Sequence, residues 1–527
     1  MSRLLSSITA AALAVSLGAI SLGAVSSPAL ATPAAATRAL MSEMSVPDLQ
    51  AAMKRGDFTS EELTRAAIAR ISAIDGKLHS VIMVNPDAVK LAQGADAARK
   101  SGKDLGPMMG VPVLVKDNME TNDPMPTTAG SLALKDNLTH RDSPSIARLR
   151  AGGAVILGKT NLSEWANIRS THSMSGWSGV GGLVANPYDL SRTSCGSSSG
   201  SGAAIAADLA VIAIGTETDG SVTCPSAMNG LAGIKPTVGL VSRTHVVPIS
   251  HTQDTPGPMG HSVTDIAVLL TVMAGSDPAD KATVDADAKK IDYVAALSGA
   301  SLKGVRIGVL RDKIGNDPKT AEVFEGALKS LTDAGAILVD IKDSSTPGLD
   351  DAEFDVLKFE LKADLNTYLA TLPDMVKTRT LADVIAFDTA HASEEMPFFK
   401  QEIFDMAQAL KGLDDPAYIA AVTKSQSIAQ TRLDGLMKDH DVTLLVAPTY
   451  APAWKSDTIY GDVYNGPSAT QLPATAGYPH LTVPMGYVQG MPVGISFMGG
   501  KWRDADLLKA GYAFEQVTKA RKQPVVK

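Results

Sequence analysis

The sequence predicts a layered α/β protein built as one large domain, and three observations carry that prediction. Apolar runs of strand length alternate with helical patterns; residues 305–310, 320–334 and 336–341 form one such strand–helix–strand unit. Aromatic residues are scarce, 5% of the 527, while 45 glycines and abundant alanine supply small surfaces that let helices lie close to a sheet. No internal repeat and no long linker divides residues 40–527, a length that can bury a large core.

Residues 1–31 stand apart. Arg3 gives a positive start, residues 4–25 are apolar and small, and Ser27-Pro-Ala29-Leu-Ala31 fits the small-x-small cleavage rule. The stretch reads as a secretory signal peptide, so export to the periplasm or the medium is expected. Its Ala, Gly and Ser content speaks against the alternative, an uncleaved anchor. No later segment approaches the roughly 18 uninterrupted apolar residues of a membrane span, and no stable membrane insertion is expected.

Helices are expected to start at Ser45 and at Thr59-Ser60-Glu61-Glu62, where a hydroxyl precedes a Glu three positions on. Residues 80–85 read as a strand and 86–100 as a helix. Gly110-Val-Pro-Val-Leu-Val-Lys116 is a buried strand that ends in charge. Residues 142–152 read as a helix, 154–157 as a strand and 162–167 as the opening of another helix. Residues 350–440 are mainly helical and acidic, suited to wall a substrate cleft. Residues 442–446 are a buried strand, and 504–518 the last helix.

The stretch that organises the chain is 194–225. It opens on a loop of small residues, Ser194-Cys-Gly-Ser197-Ser198-Ser-Gly-Ser-Gly202, which feeds helix formers at 203–207. The loop therefore lies at a helix N-terminus, where unpaired N–H donors point outward. Residues 210–214 read as a short buried strand. A second polar turn, residues 215–221, ends in Asp219-Gly220-Ser221, and Pro225 suits the first position of a new helix. One helix–strand unit thus joins two serine-bearing turns, so Ser197 and Ser221 can face each other. A glycine-serine linker would be flanked by low-complexity sequence; these turns are flanked by tight apolar runs.

The two turns resemble the signature of the amidase signature family, the Ser–Ser–Lys amide hydrolases. That family's usual form is Gly-Gly-Ser-Ser-Gly-Gly-Ser followed by a Gly-Gly-Ser about two dozen residues later. Here Cys195 and Ser199 replace glycines in the first motif, Asp219 replaces one in the second, and the serines stand. Val115-Lys116-Asp117-Asn118 and Thr127-Thr-Ala-Gly-Ser131 resemble the family's lysine region, and the likeness is strongest over 107–280. Residues 477–484 and 492–497 look like its closing strands.

On spacing alone Lys116 is a strand-capping surface lysine; the resemblance makes it the base. It implies a mixed, mostly parallel twisted sheet with helices on both faces, and a Ser197 held by a cis peptide bond. It implies Ser221 as nucleophile and Ser197 as relay. It further implies an oxyanion hole of the Thr218, Asp219, Gly220 and Ser221 backbone N–H groups, with Ser198 in support. The base must be neutral to act, which requires burial to depress an amine that titrates at about 10.4 when free. The implied substrate is a small-molecule or peptide amide, with no cofactor and no metal, in a monomer or homodimer. Residues 217–225, 357–366 and 391–399 look closest to the secreted peptide amidases. Thr223 stands where many members carry Arg, which weakens a small carboxylate-bearing substrate.

Other functions fit less well. A net charge of −8 and no basic stripe exclude a nucleic-acid partner. Gly153-Ala-Val-Ile-Leu-Gly-Lys-Thr160 matches the phosphate-loop pattern, but its four inner residues are the strand itself. Gly196-Ser-Ser198-Ser-Gly200 matches the esterase nucleophile elbow, but a turn-rich segment precedes it, not a buried strand. The nine histidines form no metal pattern; His172, His245, His251 and His480 read as structural residues in polar loops. Two family-level alternatives remain. One is an amidotransferase component of the same fold, whose cytosolic partners conflict with an export signal. The other is a silent binding protein, which predicts loss of a triad member. Cys195 and Cys224 flank the two turns and are either bridged or packed as buried thiols.

Overall fold

A computed structural model describes residues 34–464 and 466–526; the leader expected at 1–31 lies outside them. Among the described residues no helix is long and apolar enough to cross a membrane. The centre of the molecule is an eleven-stranded sheet. In chain order its strands are β1 (Val81–Val84), β2 (Pro112–Lys116), β3 (Val155–Thr160), β4 (Ile212–Glu217), β5 (Ala232–Lys235) and β6 (Thr255–Gly260), then β7 (Arg306–Leu310), β8 (Ile337–Ile341), β9 (Leu444–Pro448), β10 (His480–Val488) and β11 (Met491–Met498). Their spatial order is β1-β3-β2-β4-β6-β5-β10-β11-β9-β7-β8.

The sheet is mixed. Parallel pairing occupies two blocks, β3-β2-β4 and β9-β7-β8, each built by helical crossovers. The pairs between and outside these blocks are antiparallel, six of the ten, so the parallel share is smaller than the resemblance implies. β10 and β11 form a hairpin turned at Gln489-Gly490, both at positive φ.

Helices cover both faces, which alternate residues of β10 make plain. Leu481 and Val483 lie against Gly511 of the helix Asp504–Thr518, close enough that a Cβ there would collide with Leu481. Thr482 points the other way, into the space between Gly494 and Ala227 of the helix Thr223–Met228. The helix Val46–Arg55 starts at Ser45, whose hydroxyl accepts from Asp48 N–H. Ser60–Leu78 starts at Thr59 with a reciprocal Thr59–Glu62 cap, which satisfies two end donors at once. Residues 349–439 are mainly helical as expected, from Leu349–Leu369 to Pro416–Asp439, and pack a second apolar cluster around Trp165, Leu361, Leu365 and Phe404.

Three local expectations fail. Residues 162–167 do not open an α-helix; Glu164–Asn167 is a single tight turn with Trp165 and Ala166 at positive φ. The strand expected at 210–214 lies at 212–217, so it carries Thr216 and Glu217 of the supposed turn. His480 is not in a loop but begins β10, fully buried, with Nε2 2.6 Å from Ser496 Oγ.

Candidate active site

β2 is buried along its whole length, and Val113–Val115 pair in parallel with Ile212–Ile214 of β4. This register sets Lys116 beside the end of β4. The Lys116 ammonium nitrogen lies 2.7 Å from Ser197 Oγ, 2.8 Å from Thr216 Oγ1 and 3.3 Å from the Thr216 carbonyl oxygen. Asn118 Nδ2 donates to the same Thr216 hydroxyl at 2.9 Å. Lys116 and Ser197 have no solvent exposure. Burial holds the amine down to about 7, against the opposite pull of Asp254 and Glu217.

Ser197 sits at the head of the helix Ser199–Ala206, after a cis Gly196–Ser197 peptide bond. A Cβ on Gly196 would lie 2.1 Å from Ser163 Oγ, so a side chain there displaces the hydroxyl that accepts from Gly176 N–H. Ser198 faces the other way. Its hydroxyl contacts both the N–H and the C=O of Thr216 at 3.2 Å, and its own N–H donates to the Ser221 carbonyl at 3.2 Å. Ser198 therefore ties the first serine loop to the end of β4 and to the second serine turn.

Ser221 closes that second turn and is 8% exposed, at the floor of an open cleft. Gly220 before it has φ +80°, and a Cβ would meet the Tyr450 hydroxyl at 2.6 Å, so glycine is required twice over. The Ser197 and Ser221 hydroxyls share no hydrogen bond in this structure. The Asp219, Gly220 and Ser221 N–H groups donate to no acceptor among the described residues, whereas those of Val222 and Thr223 are taken by the Glu217 carboxylate at 2.8 and 2.9 Å. Thr218 is held from behind: its hydroxyl donates to Asp254, 2.6 Å away, and its carbonyl accepts from Gln253. Burial raises Asp254 to about 6. Cys195 and Cys224 are joined in a disulfide, with Cα atoms 6.0 Å apart, that staples the two serine turns together.

All the residues singled out in the two turns, and Lys116, thus converge on one place. Sequence reasoning missed Thr216 as a partner of the lysine and Asn118 as a donor to Thr216, although both sit within the quoted motifs. It also missed Tyr450, Trp454 and Tyr464 in the cleft's far wall; Leu357, beside them on the approach to Ser221, belongs to the helical stretch expected to wall the cleft. Two His–carboxylate groups occur among the described residues, Glu43–Asp208–His261 and His251–Glu360–Asp364. Neither lines the cleft, and both are already paired, Asp208 with Arg70 and His251 with Asp364.

Residues 62–508 match the family model described as Amidase. The chain belongs to the amidase signature family. It is an amide-hydrolysing enzyme. It is 37% identical over 499 residues to a probable amidase of Arabidopsis thaliana, covering 92% of each chain. It is 33% identical over 492 residues to a glutamyl-tRNA(Gln) amidotransferase subunit of Chloroflexus aurantiacus, covering 91% of this chain and 97% of that one. Among solved structures it resembles the peptide amidase of Stenotrophomonas maltophilia, with a TM-score of 0.87 and 45% identity over 92% of this chain and 99% of that one. Within the amidase signature family the chain departs from the motif in both turns, at Cys195 and Ser199 in the first and at Asp219 and Thr223 in the second. Thr223, where Arg is common, spends its hydroxyl on Glu217 at 3.1 Å, so it strengthens the turn and presents no cation to the cleft.

Proposed function

We propose that this amidase removes the C-terminal amide of peptides through an acyl-enzyme on Ser221, with Ser197 as relay and Lys116 as base. One observation carries the reading: a fully buried lysine nitrogen, poised near neutrality at about 7, lies 2.7 Å from the Ser197 hydroxyl. An unprotonated amine there takes a proton from Ser197 as Ser197 takes one from Ser221. Ser221 then attacks the carbonyl carbon, and the C–O bond forms. The developing oxyanion is received by backbone N–H groups of residues 218–221. The proton returns through Ser197 to the leaving nitrogen, the C–N bond breaks and ammonia departs. Water repeats the sequence on the acyl-enzyme. The second leg, Ser221 to Ser197, closes when a bound carbonyl turns the Ser221 hydroxyl inward, since apo sites often hold such contacts long.

A peptide substrate is supported by the likeness to the peptide amidase and by the cleft. That cleft is an open trough walled by Ile249, Leu357, Tyr450, Trp454 and Tyr464, able to seat side chains of an extended chain. The disulfide agrees with export of the chain after loss of residues 1–31, because such bonds persist in oxidising compartments. The similarity to the glutamyl-tRNA(Gln) amidotransferase favours a second reading, glutamine-dependent ammonia supply to a partner. The test is ammonia release from amidated peptides and from glutamine, with Ser221→Ala as control. Release from peptide amides that the variant abolishes is expected. Unchanged release by Ser221→Ala overturns the nucleophile, and release from glutamine alone overturns the peptide substrate.

A further inference from the structure

The cleft is not the only cavity at the second serine turn. A second one, lined by Leu310, Lys313, Thr346, Gln471, Leu472 and Met498, lies beyond it. The two share Asp219 and Ser468 in their walls. Asp219 is therefore part of the partition between them, one residue from Gly220 and two from Ser221. It is also the position where the family motif usually has glycine, whose missing side chain would leave this part of the partition open.

The carboxyl of Asp219 is unusual in its own right. Its Oδ1 is shielded from solvent and has no hydrogen-bond partner. A buried acceptor left unpaired costs stability, roughly 1–3 kcal/mol, and calls for an explanation. Tyr450 and Thr470, joined at 3.2 Å, cover Gly220, and Thr470 also reaches the Asp219 carboxyl, which leaves Oδ1 as the acceptor the turn offers to a bound amide. The wide, aromatic part of the cleft, lined by Tyr450, Trp454 and Tyr464, has room for the acyl side of a substrate. A substrate seated that way directs its leaving nitrogen toward the partition that Asp219 helps to form.

We propose that the Asp219 side chain selects the leaving group: Oδ1 accepts an N–H of a primary carboxamide, and the carboxyl blocks the gap through which the substituent of a secondary amide would enter the second cavity. This rests on Ser221 being the nucleophile. Asp219 exchanges no proton; it is a specificity residue, and the bond changes remain those of amide hydrolysis. Burial and the neighbouring Glu353 hold its carboxyl far above the usual range.

The test compares kcat/KM for one acyl peptide as its primary amide, its N-methylamide and its methyl ester. The ester has no N–H and reports whether Ser221 still works. Asp219→Gly is expected to lower the preference for the primary over the N-methylated amide by roughly tenfold or more. Asp219→Asn, which keeps both bulk and an Oδ1 acceptor, is expected to hold the wild-type preference. Asp219→Leu is expected to lose the primary amide without gaining the N-methylamide. An unchanged preference in Asp219→Gly with the ester still cleaved overturns the proposal. If that variant cleaves nothing, an unchanged preference in Asp219→Leu overturns it instead. A wild type inactive on all three acyl derivatives points to failure of the nucleophile assignment, a separate result.

Discussion

Lys116 is where burial becomes chemistry. Its side chain is enclosed by Ser197, Thr216 and the end of β4, and desolvation brings it to about 7. Its proton must be absent for catalysis, so kcat/KM is expected to fall tenfold per pH unit below about 7 and to level off above it. A pH–rate profile on a neutral amide checks this; a flat acid limb excludes Lys116 as base. The same shift has a stability sign. The free amine titrates at about 10.4, so between there and about 7 the unfolded chain holds the extra proton, and stability declines as pH falls through that window. Lys116→Met lacks this dependence. Its melting temperature relative to wild type should rise on going from pH 10 to pH 7, while its activity drops roughly 10²–10⁴-fold. A melting-temperature difference between variant and wild type that is the same at both pH values would show the lysine is not held neutral.

At the scale of elements the site is two serine-bearing turns held together by Ser198 and by the Cys195–Cys224 disulfide. The bridge spans 29 positions that include the helix Ser199–Ala206 and β4. Cross-links of this size typically contribute about 2–4 kcal/mol. A Cys195→Ala, Cys224→Ala chain is expected to unfold at lower denaturant by that amount and to lose activity before it loses bulk structure. Equal midpoints with and without a reductant would contradict this. Both motif turns are legible in the sequence because small residues beside apolar runs leave few alternatives, whereas Lys116 reads as a surface lysine on spacing and is singled out only by the family resemblance. The strand ends are not. The polarity of Thr216 and Glu217 places β4 two residues early, yet both lie in the strand and are satisfied there by Lys116 and the Val222–Thr223 amides. His480 reads as a loop residue for the same reason: β10 carries a polar rung, His480 to Ser496 to Thr449, inside the sheet. Trp165 and Ala166 adopt positive φ against their preference, held by the packing of Trp165 on Phe404, which no local pattern reveals.

The whole molecule is a signature half that carries the chemistry and a helical wall that shapes the cleft, and one buried cluster ties them. Arg169 follows the strained 164–167 turn. It is fully buried, donates to the Glu395 carbonyl at 2.6 Å and faces Glu164, Asp388 and Glu395 within 3.3 to 3.9 Å. Its guanidinium also lies 4.5 Å from the Phe399 ring centroid. Glu395 in turn accepts from Leu132 N–H at 2.7 Å, so the wall helices 381–409 are bound to the lysine region through this point. One cation faces three carboxyls; burial raises Asp388 to about 8, so it holds its proton near neutrality, and burial pushes Glu164 up as well. Arg169→Met removes the one positive charge and leaves the carboxyls without it. It is expected to cost about 3–5 kcal/mol in denaturant unfolding. Because Ala166, Asn167 and Ile168 line the cleft, KM for a peptide amide should rise more than kcat falls. Asp388→Asn, which replaces an already protonated group, should cost less than about 1 kcal/mol. A cost for Asp388→Asn equal to that of Arg169→Met would mean that the carboxyl is ionised and that the wall is held by a simple ion pair.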